Sequence, residues 1–339
     1  MKQNEDILIC GVNWLGDACM SMPALQLYYE QNNAPRITML TKAVLKPLWE
    51  MHPAVSDTIT LETTTAGMFR TSRLVKNKKF NSAYILPNSW RSALIPFMAH
   101  IPNRIGQTGH HRQLLLTETT QPAPERYHQQ WEYAAILKLQ ERDSLPSPSL
   151  SVPADAMQSI AKMLPTEDKS PLIGILPGAA RGPSKQWPAE HYIAAAKIVI
   201  KSCPARFAVM GTKAEAPLCE CIAAAIGNNT VSIAGRTSLQ ELIATLSCCD
   251  TVLCNDSGGM HLAASTGTPV VAIYGITDAE KTGPLGEGHR IIQARGVEVS
   301  RSIPRNSPEA RAALKSISSQ EVAAAALAVI EDKEDKGTE

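Results

Sequence analysis

No stretch of this 339-residue sequence approaches the roughly 20 consecutive apolar residues that a membrane-spanning helix needs. The opening residues, Met1-Lys-Gln-Asn-Glu-Asp6, lack the long apolar stretch before a small-residue cleavage site that marks a secretory signal. The sequence therefore predicts a protein made and kept in the cytosol. Charge of one sign is lacking overall: 33 Lys and Arg against 32 Asp and Glu leave a net charge of +1. That balance speaks against bulk binding of nucleic acid, which asks for a clearly basic domain. Paired cysteines are missing too. Among the eight, Cys219 and Cys221 are one residue apart and Cys248 and Cys249 are adjacent. None shows the two-residue spacing of a zinc ribbon or a thioredoxin-type motif, so they read as small buried hydrophobes, with no metal expected on them.

What is present is an ordinary globular composition, 44% apolar and 19% charged, in a chain long enough for two domains. Short apolar runs alternate with helical patterns. Ile7–Cys10, Ile37–Leu40, Thr58–Leu61 and Ala83–Leu86 read as strands, with helices near Ser21–Asn32, Ala43–Met51 and Phe69–Lys78. Proline- and serine-rich stretches follow, over Asp143–Pro153 and Pro165–Pro171, and look like connections. The alternation then restarts with strands at Leu172–Leu176, Phe207–Met210, Val231–Ala234, Thr251–Cys254 and Val270–Tyr274. Helices fit Ala189–Ser202, Ala214–Ile226, Leu239–Cys248 and Met260–Thr266, and an Ala-rich helix near Ser319–Glu331 closes the chain. Such alternation predicts α/β architecture: two doubly wound, Rossmann-like domains, residues 1–155 and 156–339, with the final helix free to pack back on the first. Two such domains facing each other across a cleft would bind ligands at the carboxyl ends of their strands.

The motifs sit at those strand ends. After Thr251–Cys254 come Asn255-Asp256, then Ser257-Gly258-Gly259 opening a helix that carries His261. Two glycines at a helix start allow close approach, and the unpaired N–H groups with the positive dipole end favour a phosphate. The plainer alternative is that Asp256 or Ser257 merely caps the helix. Pro177-Gly178-Ala179 and Gly182-Pro-Ser-Lys185 leave another strand, and Lys185 would set a cation near the same anion, unless Trp187 simply anchors a surface loop. Past a third strand, Glu215 offers a carboxylate for ribose hydroxyls or a helix cap. In the first half, Gly11-Val-Asn-Trp-Leu-Gly-Asp-Ala18 lacks the dinucleotide glycine spacing but sets Asp17 at a helix start. A carboxylate there is normally ionised, which suits a general base as well as it suits the helix dipole.

Acid is absent from one long region. Between Glu62 and Glu118 there is no Asp or Glu, whereas Arg70, Arg73, Lys76, Lys78, Lys79, Arg91, Arg104 and Arg112 fall there, with His100, His110 and His111. A basic face could receive an anionic acceptor or an anionic membrane surface, or simply be solvated.

Taken together, four motifs in order resemble glycosyltransferase family 9, the lipopolysaccharide heptosyltransferases. They are Asn13-Trp-Leu-Gly-Asp17; Leu86-Pro-Asn-Ser-Trp-Arg-Ser-Ala-Leu94 with Ile101-Pro-Asn-Arg-Ile-Gly106; Pro177-Gly-Ala179 with Gly182–Pro188; and Asn255-Asp-Ser-Gly-Gly-Met-His261. Within the family, Leu86-Pro-Asn-Ser89 points to the branch that adds heptose to the first heptose of the inner core. The resemblance implies a GT-B fold with the acceptor in the N-terminal domain and ADP-heptose in the C-terminal one. It implies Asp17 as the base on the acceptor hydroxyl and Lys185 on the donor phosphate, both counted as catalytic. Pro177, Gly178, Ala179, Glu215, Asp256, Ser257, Gly258, Gly259 and His261 would complete the donor site. Asn13, Asn88, Ser89, Arg91, Arg70, Arg73 and Arg112 are the expected acceptor contacts.

An inverting transfer follows from that assignment, with no cofactor and no metal, since Lys185 and the Ser257–Gly259 N–H groups would stabilise the departing diphosphate. The implied partners are ADP-heptose, a heptosyl-Kdo-lipid A acceptor and the cytoplasmic face of a Gram-negative inner membrane, with no nucleic acid. Transfer at another core position, a sugar-nucleotide epimerase and a non-catalytic nucleotide-sugar sensor remain as alternatives. The segment Gly275–Leu285 departs from the family's proline-bearing run there, which leaves the sugar specificity open.

Overall fold

The computed structural model describes residues 6–109, 111–124, 126–140, 144–164, 169–300 and 304–337. His110 and the polar residues 165–168 singled out above lie outside them. The chain divides into two compact units, Met1–Ser151 and Val152–Glu339. The division falls inside the proline- and serine-rich stretch.

Unit 1 runs β1 (Asp6–Cys10), α1 (Leu15–Gln31), β2 (Arg36–Thr41), α2 (Lys46–Glu50), β3 (Asp57–Thr60), α3 (Thr65–Lys78), β4 (Ser82–Ile85), α4 (Trp90–Met98), β5 (Asn103–Gln107), β6 (Glu118–Thr120) and α5 (Gln130–Ile136). Its six strands are all parallel, in the order β3-β2-β1-β4-β5-β6. The central strands are apolar on both faces, as helices on both sides require. Leu8, Cys10, Leu40, Ile59 and Ile85 pack against Met68 and Val75 of α3 and Ala93 and Ile95 of α4.

Unit 2 runs α6 (Ala154–Ala161), β7 (Leu172–Leu176), α7 (Ala189–Ser202), β8 (Arg206–Val209), α8 (Ala216–Ile226), β9 (Thr230–Ser232), α9 (Leu239–Ser247), β10 (Thr251–Asn255), α10 (Gly258–Ser265), β11 (Val270–Tyr274), α11 (Ala279–Thr282), β12 (Arg290–Gln293), α12 (Pro308–Ser316) and α13 (Ser319–Gly337). Its parallel sheet has the order β12-β11-β10-β7-β8-β9, the same topology as unit 1. In each sheet the winding reverses between the first and fourth strands, and loops leaving those two strands diverge to open a crevice. Every fully buried Ile or Val along β7, β10 and β11 contributes about 1.5–3 kcal/mol, which fixes the strand ends that carry those loops.

Two expectations need correction. α1 begins at Leu15, not Ser21, and tolerates Pro23 inside it. The helix loses one backbone bond there, and Asp17 becomes a first-turn residue. The closing helix α13 sets Val322, Ala323, Ala326, Val329 and Ile330 into the core of unit 2, against α7 and β10–β12. β5, β6 and β12 were not anticipated. Asn103-Arg-Ile-Gly-Gln107 has no apolar alternation and becomes a strand because β4 offers it a ladder. The atypical segment 275–285 contains α11, whose start is capped by the Asp278 side chain accepting from Glu280 N and Lys281 N.

Candidate functional site

In unit 2 the loops after β7 and β10 are neighbours at the reversal point. Asn255, the last residue of β10, joins them. Its amide donates to Pro177 O at 2.8 Å and Gly178 O at 3.3 Å, while its Oδ1 accepts from Trp187 N at 2.9 Å and Tyr192 OH at 3.0 Å. The side chain is wholly buried and every bonding position is used on a distant partner. Trp187, also buried, stacks edge-on against Tyr192 and donates its indole N–H to Ile317 O at 3.2 Å. The anchoring role considered for Trp187 is thus present, and it fixes the loop that carries Lys185 instead of competing with a binding role.

From that loop Lys185 reaches Asp256 and forms an ion pair with it, 13% and 8% exposed. Two charges this far from solvent are stabilised only by each other, so removing one partner costs about 3–5 kcal/mol unless another charge replaces it. A diphosphate is such a replacement for Asp256. The loop is held from its other side as well: Ser184 Oγ donates to Pro304 O at 2.7 Å and accepts from Ser307 N at 2.7 Å. Gly182 takes φ +90° beside Arg305, a backbone that side chains disfavour.

Neither capping alternative at α10 is realised. Ser257 stands at the N-cap position, but its hydroxyl makes no capping bond, and the Asp256 carboxylate is taken by Lys185. The first-turn N–H groups of Gly258 and Gly259 therefore keep the character of an anion site. Gly259 also lies against Leu176, where a Cβ would come within 3.0 Å. His261, 5% exposed, lies on the same helix and is packed into the unit. Glu215 does cap: its Oε2 accepts from Thr212 N at 2.8 Å and Thr212 Oγ1 at 2.9 Å. Its other oxygen lies where a Cβ on Gly178 would be, so the loops after β7 and β8 meet at that glycine.

Unit 1 is built on the same plan with a different filling. A cavity of about 230 Å³ opens where β1–β4 end, lined by Asn13, Lys42, Glu62, Thr63, Ser89 and Arg91 over an apolar floor that includes Leu40, Met68 and Ile95. Asn13, Ser89 and Arg91, three of the acceptor contacts named from the sequence, thus line one cavity. Asn88 is exposed beside them in the chain, and Arg70 is ion-paired to Glu62 at the rim. Arg73 stands exposed on α3.

Arg112 departs from expectation. It is fully buried, with its guanidinium donating to Pro87 O, to Ser89 O at 3.3 Å and to Ile85 O at 3.4 Å. It is no part of an exposed basic face: it positions the Leu86–Ser89 loop from beneath. Burial pulls its pKa below the ordinary arginine value, opposed by nearby Cys10, whose own thiol is pushed up to about 12 by burial. Cys219, Cys249 and Cys254 are likewise buried thiols held protonated by desolvation. Arg104 is also spent internally, on Leu115 O at 2.7 Å and over the Phe97 ring.

Asp17 is half-buried in the first turn of α1. Its Oδ1 accepts from Gln129 Nε2 at 3.2 Å, and the same amide nitrogen donates to Tyr133 OH at 2.8 Å. Burial first, then the neighbouring Asp17, pushes the Tyr133 phenol well above its ordinary value. Gln129, Tyr133 and Lys42 are site residues that sequence reasoning missed, and Asn255 was quoted within its motif without a role. Only Asn255 carried a local signal, a polar residue ending an apolar strand. Among the described residues no group of three or more His, Cys, Asp or Glu comes together to hold a metal ion.

The family model for glycosyltransferase family 9 (heptosyltransferase) matches residues 68–311. Lipooligosaccharide heptosyltransferase 2 of Haemophilus influenzae is 32% identical over 309 residues, 85% of this chain and 88% of that protein. Lipopolysaccharide heptosyltransferase 2 of Escherichia coli is 29% identical over 305 residues, 85% of this chain and 87% of its own length. The solved structure of E. coli ADP-heptose lipopolysaccharide heptosyltransferase II superposes with a TM-score of 0.85 at 27% identity, covering 97% of this chain and 99% of that one. The chain belongs to glycosyltransferase family 9, with the α/β GT-B fold of its heptosyltransferases.

Proposed function

We propose that this family 9 glycosyltransferase moves heptose from ADP-heptose to the first heptose of a lipopolysaccharide inner core, carried on Kdo-lipid A. The observation that supports it most is the Lys185–Asp256 pair beside the uncapped start of α10. On this reading the ADP diphosphate takes Lys185 and the N–H groups at Ser257–Gly259, and Asp256 turns to the sugar hydroxyls. Pro177, Gly178 and Ala179 form the wall behind the donor, Glu215 accepts from the ribose, and His261 supports the phosphate side.

Asp17 removes the proton from the acceptor hydroxyl as that oxygen attacks the anomeric carbon opposite the departing ADP. The C–O bond to the acceptor forms, the bond to the diphosphate oxygen breaks, and configuration inverts. Gln129 donates to Oδ1 of Asp17 and helps orient the carboxylate toward the acceptor. Charge growing on the diphosphate is met by donors already in place, which take the part a divalent ion would otherwise play. Asn13, Ser89 and Arg91 receive the acceptor saccharide in the cavity of unit 1, with Asn88, Arg70 and Arg73 at its approach. Because that acceptor is lipid-linked, the enzyme works as a peripheral protein at the cytoplasmic face of the inner membrane.

The test is transfer from ADP-heptose, ADP-glucose and UDP-glucose to acceptors ending in one heptose or in Kdo. Selective use of ADP-heptose with the heptose-terminated acceptor is expected. Equal use of the Kdo-terminated acceptor would move the assignment to another core position, and turnover of the donor without any acceptor would replace it with an isomerase.

A further inference from the structure

α3 turns Met68, Thr71, Ser72 and Val75 inward and leaves the opposite arc to solvent. On that arc Phe69 is 62% and Leu74 48% exposed, although the core of unit 1 has no further use for them. At about 100° per residue they flank a strip formed by Arg70, Arg73 and Asn77, with Lys76 and Lys78 at the outer edges. Arg70 and Lys78 are paired to Glu62 and Asp57, but Arg73, Lys76 and Lys79 have no carboxylate partner among the described residues. No acidic residue occurs from 63 to 117 to provide one. Trp90 and Phe97 are exposed on α4, which packs beside α3.

On this exposed arc cations with long apolar stems alternate with isolated large hydrophobes. The stems and rings can meet the apolar edge of a membrane interface while the charged ends stay among the headgroups. An acidic protein would satisfy the charges while leaving Phe69 and Leu74 separated by them, without one continuous apolar patch to bury. A headgroup layer satisfies both, because phosphates meet the ammonium and guanidinium ends while the rings and branches enter the acyl boundary beneath. We propose that α3 docks unit 1 on a bilayer surface rich in anionic lipid, with Phe69 and Leu74 inserted and Arg73, Lys76 and Lys79 at the phosphates. This deepens the peripheral-membrane reading above by assigning the contact to one helix.

Flotation of the full chain with phosphatidylglycerol or phosphatidylcholine vesicles, without substrates, tests it. Wild type floats with the anionic vesicles and hardly with the neutral ones. Lys76→Glu with Lys79→Glu weakens that binding by about tenfold or more at low salt. Phe69→Ser with Leu74→Ser weakens it several-fold, most visibly at high salt, where the charge contribution is screened. All four positions are exposed, so thermal melting should stay near wild type. Equal flotation with both lipids, or of both double variants with wild type, overturns the proposal. So does a concentration-dependent dimer lost in Phe69→Ser with Leu74→Ser alongside absent vesicle binding, because the face is then a contact between copies. Transfer to an acyl-free, water-soluble acceptor reads the proposed activity separately: it survives in these variants whether or not α3 is the anchor.

Discussion

In unit 2 the loops at the reversal of the sheet are locked by Asn255 and by the Lys185–Asp256 pair, whereas in unit 1 the corresponding loops line an open cavity of about 230 Å³. The strand order is the same in both, so the difference lies in the residues at four strand ends. Unit 2 fills its crevice with polar groups that satisfy one another through short bonds between buried partners. Unit 1 sets Asn13 and Arg91 at its rim, exposed, and places its organising cation, Arg112, underneath. A prearranged charged pocket suits a small leaving group whose charge grows during reaction. An open, mixed polar and apolar cavity suits a saccharide presenting both a hydroxyl edge and a carbon face. One topology thus carries two differently filled crevices, and the role proposed for each is open to attack by substitution.

The largest effect is expected at the base proposed in unit 1. Asp17→Asn keeps the bond from Gln129 possible but removes the base, and transfer should fall by about 10²–10⁴-fold. ADP affinity, read by calorimetry, should not change if the proposed donor site lies in unit 2; a matching loss of ADP affinity would end the division of labour. Next comes Lys185→Met, for which transfer should fall by about 10²–10³-fold together with weaker ADP binding. Asp256→Asn sharpens the point because its sign is opposite. With the lysine freed from its carboxylate, ADP alone should bind several-fold tighter while heptosyl transfer slows. Weaker ADP binding in Asp256→Asn would mean that the pair does not compete with the diphosphate.

Much of this was legible in the sequence because a strand end followed by glycines and a helix start is a local pattern. Asp17, Lys185, Asp256 and Gly258-Gly259 all announce themselves that way. What failed was whatever depends on partners far along the chain. Gln129 lies 112 residues from Asp17, and Asn255 binds carbonyls 77 and 78 residues away, distances that no spacing rule reaches. Arg112 was misread for the complementary reason. An arginine is exposed by default, and only the converging carbonyls of Ile85, Pro87 and Ser89 make its burial tolerable.

Asn255→Asp tests whether unit 2 is as rigidly determined as its bonds suggest. The substitution preserves shape but turns the donor toward Pro177 O and Gly178 O into an acceptor facing acceptors. A loss of about 1–3 kcal/mol in stability is expected, from groups left buried and unsatisfied. KM for the donor should rise more than kcat falls, because Lys185 stays present but less well held. Part of the donor affinity should return as pH falls, when the carboxyl regains a proton to donate. A variant with wild-type donor kinetics at all pH values would reduce Asn255 to a packing residue.

The smallest effect separates the units by acid sensitivity. In unit 1 His52 is buried against the Trp49 ring, its Nδ1 accepts from Ala54 N at 3.3 Å, and its Nε2 has no hydrogen-bond partner among the described residues. Burial lowers its pKa to about 3 from an ordinary 6.5. The unfolded chain therefore binds this proton more readily than the folded one. The stability it contributes is complete above pH 6.5 and is lost as pH falls from there toward 3. At pH 5 the loss amounts to about 1–2 kcal/mol relative to neutral pH. His289 in unit 2 shifts the same way through burial, but its bond to Leu285 O opposes the shift, so unit 2 should weaken less. His52→Asn keeps an acceptor for Ala54 N and removes the titration, at a packing cost against Trp49 that does not depend on pH. Urea unfolding of both proteins at pH 7.5 and pH 5, followed by a probe in unit 1, should show the variant less stable at the higher pH and the gap closing at the lower one. Parallel losses in the two proteins would show that the ring titrates freely in the folded state.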